Sequence, residues 1–112
     1  MGIVQEVKTE QGVKIAVLKG DVDTKSASSV TEEILPLIEP DSKTILDMVG
    51  VEYMSSAGLR MLLSVYRQSE AQNAKLVLLG LSEDIADTMS VTGFLDFFVT
   101  TDSLDEAMKL LA

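Results

Sequence analysis

Two adjacent hydroxyl side chains, Ser55 and Ser56, are the residues of this chain whose position best suits chemistry. They follow an apolar strand pattern and precede an amphipathic helix pattern, so both lie at a predicted helix entrance. The first amides of a helix lack intrahelical partners and carry partial positive charge, so a phosphate on either hydroxyl would be stabilised there. Taken alone, the pattern favours a simpler interpretation, in which one of the two serines is the N-cap of the helix.

The residue types that the sequence lacks exclude much of enzyme chemistry. Its 112 residues include no cysteine and no histidine, so thiolate nucleophiles and a Ser-His-Asp triad cannot form within the chain. A small enzyme or nucleotide-binding protein could use the turn at residues 55–58 as a nucleophile elbow or phosphate cradle. Both the G-x-S-x-G pattern and the P-loop pattern are absent, however. We expect a protein that is not an enzyme and holds no metal or cofactor.

The acidic balance of the chain argues against two kinds of partner. Its formal net charge of −9 repels phosphate backbones and anionic lipid surfaces. No apolar run approaches the roughly 20 residues that a bilayer-spanning helix needs, and the N-terminal residues lack the basic region of a signal peptide. We therefore expect no direct binding to nucleic acid or membrane, and a cytoplasmic location.

The elements that must position the serines alternate between strands and helices. Strand patterns occupy residues 3–7, 13–18, 44–48, 75–79 and 97–100, and helix patterns begin at Thr24, Ser56, Ser82 and Leu104. Pro36 should bend or end the first helix. The order ββαβαβαβα predicts an α/β fold in which four helices cover a mixed, mostly parallel sheet of about five strands. One domain over residues 1–112 is expected.

Two motifs together resemble a known family. The segment VEYMSSAGLRMLL at residues 51–63, and GDVD at residues 20–23 after the second strand, are similar to the STAS domain of bacterial anti-sigma factor antagonists. The similarity in element order covers nearly the whole chain and implies the STAS-type fold. In that family the serine two residues before the Gly-Leu pair is phosphorylated, which implies Ser56 as the acceptor. The resemblance also implies that Asp23 is the acidic residue beside the phosphorylation loop.

The resemblance implies a switch between two states of binding. The unmodified protein would bind an anti-sigma factor that is also a serine kinase, and phosphorylation from ATP on that kinase would release it. A phosphatase would restore the active form, and no cofactor would belong to this chain. The residues expected to contact the partner lie in the two motifs: Asp23, Ser55, Ser56, Ala57, Gly58 and Arg60.

One departure from the family pattern keeps alternatives open. Phosphorylated members carry an aspartate directly before the acceptor, where this chain has Ser55, so Ser55 is the second candidate acceptor. The same departure favours an alternative in which the domain is an unphosphorylated scaffold subunit of a signalling or transport complex. Asp23 could equally cap the helix that follows it, and Arg60 could pair with a phosphate or remain solvated. Met54 and Met61 are expected to fill core space.

Overall fold

The computed structural model describes residues 2–112 and contains five strands and four helices in the predicted order. The strands are β1 (Val4–Glu10), β2 (Val13–Lys19), β3 (Lys43–Gly50), β4 (Lys75–Leu79) and β5 (Val99–Thr101). The helices are α1 (Ala27–Ile34), α2 (Ser56–Ala71), α3 (Glu83–Val91) and α4 (Leu104–Leu111), with short 3-10 turns at Leu35–Leu37 and Phe94–Phe97. No helix in this part of the chain is both long enough and apolar enough to span a membrane.

The five strands form one sheet in the order β1-β2-β3-β4-β5. β1 and β2 are antiparallel, and the remaining neighbours are parallel, with Ile15 beside Ile45 and Ile45 beside Val77. The hairpin between β1 and β2 closes through Gln11 and Gly12, whose positive φ angles of 51° and 79° are those of a two-residue hairpin turn. The predicted mixed, mostly parallel sheet is confirmed.

The larger core lies between the sheet and the helices α1, α2 and α3. Each helix contributes side chains with no solvent exposure, among them Val30, Leu62 and Met89. Within each helix the buried residues recur at helical spacing. This spacing produces the amphipathic pattern of the sequence. This packing holds α2 against the sheet, and with it the loop that joins the end of β3 to the start of α2.

α4 covers the opposite face of the sheet alone. Ala107 and Leu111 of α4 pack against a smaller cluster that includes Ile15, Ile45 and Val77. Leu104, the first residue of this helix, is exposed, because the buried contacts come from the later turns of the helix. The sheet is thus covered by three helices on one side and one on the other.

The start of α1 differs from the prediction. The sequence placed it at Thr24, whereas residues 24–26 form a turn and the regular helix begins at Ala27. The reason is that the side chains of Asp23 and Ser26 bond to each other's backbone amides, at 3.1 and 3.0 Å, and hold this segment in a separate turn. Pro36 was expected to bend or end this helix. α1 ends at Ile34, directly before the turn that contains Pro36.

The last strand lies two residues later than predicted. Residues 97–100 were expected to be extended, but Phe97 belongs to a 3-10 turn and β5 begins at Val99. The rings of Phe97 and Phe98 pack against Tyr66 at centroid distances of 5.4 and 5.6 Å. This aromatic packing on α2 overrides the strand propensity of the two phenylalanines.

Candidate functional site

Ser55 and Ser56 both lie at the entrance of α2, but their roles differ. Ser55 is the N-cap: its backbone is extended, its carbonyl accepts the amide of Leu59 at 3.0 Å, and its Oγ accepts the amide of Gly58 at 3.4 Å. Ser56 is the first helical residue, and its side chain is exposed. The predicted helix entrance at the two serines is confirmed, and the exposed hydroxyl there belongs to Ser56.

The first turn of α2 leaves backbone donors at the position of Ser56. Within residues 2–112, the amides of Ser56 and Ala57 have no protein acceptor. α2 is 16 residues long, so its dipole adds partial positive charge at this end. An anionic group on Ser56 would therefore lie beside free N–H groups and the positive end of a long helix.

The loop before α2 is joined to the loop after β2. Val22 and Met54 form an isolated parallel bridge, in which the amide of Val22 donates to the carbonyl of Tyr53 at 3.0 Å and the amide of Ser55 donates to the carbonyl of Val22 at 2.9 Å. Val22 is fully buried. The two motifs predicted together from the sequence, GDVD and VEYMSSAGL, are therefore joined by backbone hydrogen bonds.

Gly58 is required where α2 meets this bridge. A Cβ at Gly58 would lie 2.4 Å from Cγ of Met54 and 2.7 Å from the carbonyl oxygen of Val22. Both distances are shorter than van der Waals contact, and one of the two atoms belongs to the backbone. Only glycine allows the first turn of α2 to lie this close to the neighbouring loop.

Asp23 lies at the end of the first motif with its carboxylate turned to its own backbone. Its Oδ1 accepts the amides of Lys25 and Ser26 at 2.9 and 3.1 Å. The hydrogen bond from the Ser26 amide lowers the pKa of the Asp23 carboxyl, desolvation opposes this, and the Lys25 amide adds to the lowering. Asp23 therefore caps the turn at residues 24–26 and not α1 itself, whose N-cap is Ser26, and the Asp23 carboxylate is ionised at neutral pH.

Arg60 lies one helical turn after Ser56 and is exposed. The ion pairs found within residues 2–112 join Lys8 to Glu10 and Lys14 to Glu39, so Arg60 has no carboxylate partner among the described residues. It borders a groove of about 300 Å³ between α1 and α2, which we call the α1–α2 groove. Polar side chains form much of its lining: Thr24, Ser28, Thr31, Ser64 and Arg60, with Ala27, Ala57 and Met61.

The segment of residues 51–56, which we call the serine loop, also carries an exposed aromatic ring that the sequence did not single out. Tyr53 is 54% exposed beside the buried Met54. Exposed tyrosine side chains are common in the contact surfaces of protein–protein interfaces. The motif contained Tyr53, but nothing in the sequence indicated that its ring is exposed. Met54 and Met61 are buried, so the expectation that they fill core space is confirmed.

A metal centre finds no support in the described part of the chain. Across residues 2–112, the acidic side chains form no group of three or more that could hold an ion. The groups exposed at this end of the sheet are the Ser56 hydroxyl, the Arg60 side chain and the Tyr53 ring.

Comparison with known proteins shows which family the chain resembles along most of its length. The STAS domain family matches residues 5–107. BtrV of Bordetella bronchiseptica, whose name describes it as a candidate anti-sigma factor antagonist, is 31% identical over 97 residues, covering 86% of this chain and 84% of that protein. The anti-sigma-B factor antagonist of Bacillus subtilis is 28% identical over 96 residues, covering 86% of this chain and 88% of the relative.

A solved structure shares the fold at lower sequence identity. The Bacillus cell fate determinant SpoIIAA in its phosphorylated form superposes with a TM-score of 0.71 at 17% identity, covering 96% of this chain and 98% of that one. At this identity the likeness concerns the fold, and it agrees with the sheet order and helix arrangement described above.

Proposed function

We propose that this chain, which belongs to the STAS-domain family of anti-sigma factor antagonists, binds a serine-kinase anti-sigma factor in the cytoplasm and is switched off when Ser56 is phosphorylated. The observation that carries the proposal is the exposed hydroxyl of Ser56 beside unpartnered amides at the entrance of α2. The phosphorylated form of SpoIIAA, which has the same fold, supports it by similarity.

Ser56 is a better acceptor than Ser55 on physical grounds. The hydroxyl of Ser55 accepts the Gly58 amide and is half-buried, so its modification would disturb the cap of α2. The hydroxyl of Ser56 makes no hydrogen bond within residues 2–112 and is free to enter a kinase site. Phosphorylation of Ser56 therefore leaves the fold intact and changes only the surface.

The charge of a phosphate explains how the switch would act. Phosphoserine carries about −1.5 to −2 charge at neutral pH. Apposing that charge to a partner surface shaped for a neutral hydroxyl costs several kcal/mol, about as much as a buried charge that lacks its counterion. Each 1.4 kcal/mol is about tenfold in affinity. The added charge converts binding into release without refolding, and a phosphatase would reverse it.

The contact surface that we propose covers the serine loop, the first turn of α2 and Asp23, which lies before α1. It comprises Asp23, Ser55, Ser56, Ala57, Gly58, Arg60 and the exposed ring of Tyr53. The bridge between Val22 and Met54 holds these groups in place before the partner arrives, so binding requires little ordering of the chain. Arg60 has no carboxylate partner among residues 2–112 and is available to a partner or to phosphoserine 56.

A second candidate function is an unphosphorylated scaffold subunit of a larger assembly. It is favoured by Ser55, which stands where phosphorylated relatives carry an aspartate. Size-exclusion chromatography of the complex isolated from native cells separates the two. A large assembly of unchanged size after kinase treatment supports the scaffold, whereas release of the chain supports the switch.

The proposal is tested by capture from native-cell extract with tagged wild type, Ser56→Ala and Ser56→Asp. Wild type and Ser56→Ala should both capture one serine kinase, and Ser56→Asp should lose most of it. Ser90→Asp is the matched control, because it adds the same charge at an exposed serine of α3, and it should capture the kinase as wild type does. Equal capture by Ser56→Asp and wild type would contradict the charge mechanism.

A further inference from the structure

The outer strand of the sheet, β1, has one unpaired edge within residues 2–112. It pairs with β2 on one side, and the sheet order places nothing on the other. β1 is seven residues long and lacks proline and glycine, while β5 at the opposite edge has three residues. Proteins commonly protect such long edges with proline, short strands or repelling charges. β1 has charges, but their order does not repel a second copy.

The hairpin turn determines which backbone groups of β1 face outward. Glu10 and Val13 flank the two-residue turn, so they form a hydrogen-bonded pair. Pairs alternate along an antiparallel ladder, so Lys8 also bonds to β2, at Ile15. The N–H and C=O groups of Val7 and Thr9 consequently point away from the sheet and are available to another strand.

We propose that β1 pairs with β1 of a second copy of this chain, antiparallel and centred on Val7. In this register the outward backbone groups of Val7 in one copy bond to those of Val7 in the other. Glu6 of each copy then faces Lys8 of its mate across the two-fold axis, on the same side of the sheet. The strand is therefore complementary to itself in both backbone geometry and charge, which is the pattern of an isologous interface.

A shifted register is less favourable because it uses less of the strand. Pairing centred on Thr9 would also oppose Lys8 to Glu10, a residue that already lies 3.9 Å from Lys8 in the same copy. That register overlaps only three strand residues, since β1 ends at Glu10 and the turn at Gln11 follows. The Val7 register overlaps all seven residues, with the bulge between Val4 and Glu6 near its ends.

The interface is small, so we expect a weak dimer. A single strand pair buries less than the roughly 1,200 Å² that accompanies stable association, and each copy carries a net charge of −9 that opposes the approach. β1 and the serine loop are separate surfaces, so pairing at β1 makes no use of Ser56. The dimer would present two copies of the site to a partner.

The test is sedimentation equilibrium of the full chain at concentrations up to about 1 mM, a range suited to a weak contact. Glu6→Lys makes the facing pairs Lys-Lys, and Lys8→Glu makes them Glu-Glu. Each change should weaken self-association by roughly tenfold or more, since two ion pairs become repulsive. Net charge moves in opposite directions in the two variants, so a general charge effect would strengthen one and weaken the other.

An equimolar mixture of the two variants provides the decisive comparison. Glu6→Lys in one chain faces Lys8→Glu in the other at every charged pair, so the mixture should associate about as strongly as wild type. Glu10→Lys is the matched control: it adds the same charge on the same strand outside the Glu6–Lys8 pairs, and it should not weaken the dimer. Monomeric wild type, two variants that associate like wild type, or a mixture that fails to recover would each overturn the proposal.

Discussion

The amide of Ser55 donates a hydrogen bond to the carbonyl oxygen of Val22 at 2.9 Å. This bond connects the residue that caps α2 to a fully buried residue of the loop after β2. It fixes the direction in which α2 begins, and with it the position of the Ser56 hydroxyl. The proposed switch therefore rests on a rigid support that lies beneath the modified residue.

Gly58→Ala should destabilise the protein by about 1–3 kcal/mol, the usual cost of inserting a methyl group into filled space. The added Cβ would overlap Met54 and the carbonyl of Val22, which either shifts α2 or breaks the bridge. The free energy of unfolding from urea titration measures this. Gly2→Ala, where the nearest neighbouring atom is 3.8 Å away, should be close to neutral. Equal stability of the two variants would show that the bridge is not tightly packed.

Ser55→Ala should cost about 0.5–1 kcal/mol of stability, the lower range for loss of a serine cap, because its hydrogen bond is long. Ser56→Ala should change the free energy of unfolding by less than about 0.5 kcal/mol, since an exposed side chain without partners is removed. Urea titrations of both variants under the same conditions give the comparison. A larger loss of stability for Ser56→Ala than for Ser55→Ala would show that Ser55 is not the cap of α2.

Asp23 should make the stability of the protein depend on pH in the acid range. Its pKa is lowered in the folded state, chiefly by the Ser26 amide, so the ionised carboxylate favours folding above the ordinary aspartate value of about 4. This contribution is lost as the pH falls through the lowered folded value. Unfolding free energies measured from about pH 6 to about pH 2 should fall less steeply for Asp23→Asn than for wild type. Parallel curves would contradict the assignment.

Tyr53→Ala should weaken binding to the kinase partner by about tenfold or more while leaving stability nearly unchanged. The ring is exposed in the free chain and lies on the serine loop, where a central aromatic side chain commonly contributes over 1 kcal/mol to an interface. Isothermal titration with the captured kinase measures the affinity. Val91→Ala, at an exposed apolar residue of α3, is the control and should bind normally. Unchanged affinity for Tyr53→Ala would place the contact surface elsewhere.

The sequence predicted the order of elements because the helices of this fold are strongly amphipathic and the strands are separated by clear turns. Ser56 was located correctly at the entrance of α2 because the apolar spacing after it is regular. The start of α1 was misplaced because side-chain bonds between Asp23 and Ser26 compete with helix formation, and such local bonding is hard to distinguish from an ordinary cap.

Other features depend on contacts between distant segments and were not predictable from local pattern. The bridge between Val22 and Met54 joins residues 32 positions apart, and the packing of Tyr66 on Phe97 joins residues 31 apart. The first explains why Gly58 is needed. The second explains the displaced start of β5. Periodicity describes one segment at a time, so it does not carry this information.

The most direct test of the Ser56 switch is to map phosphate on the purified chain after incubation with the captured serine kinase and ATP. Cleavage after Lys43 and Arg60 gives a peptide of residues 44–60 that contains both serines, and fragmentation between residues 55 and 56 distinguishes them. We expect one phosphate on Ser56 of wild type and none on Ser56→Ala. Phosphate on Ser55 alone, or on neither serine, would contradict it.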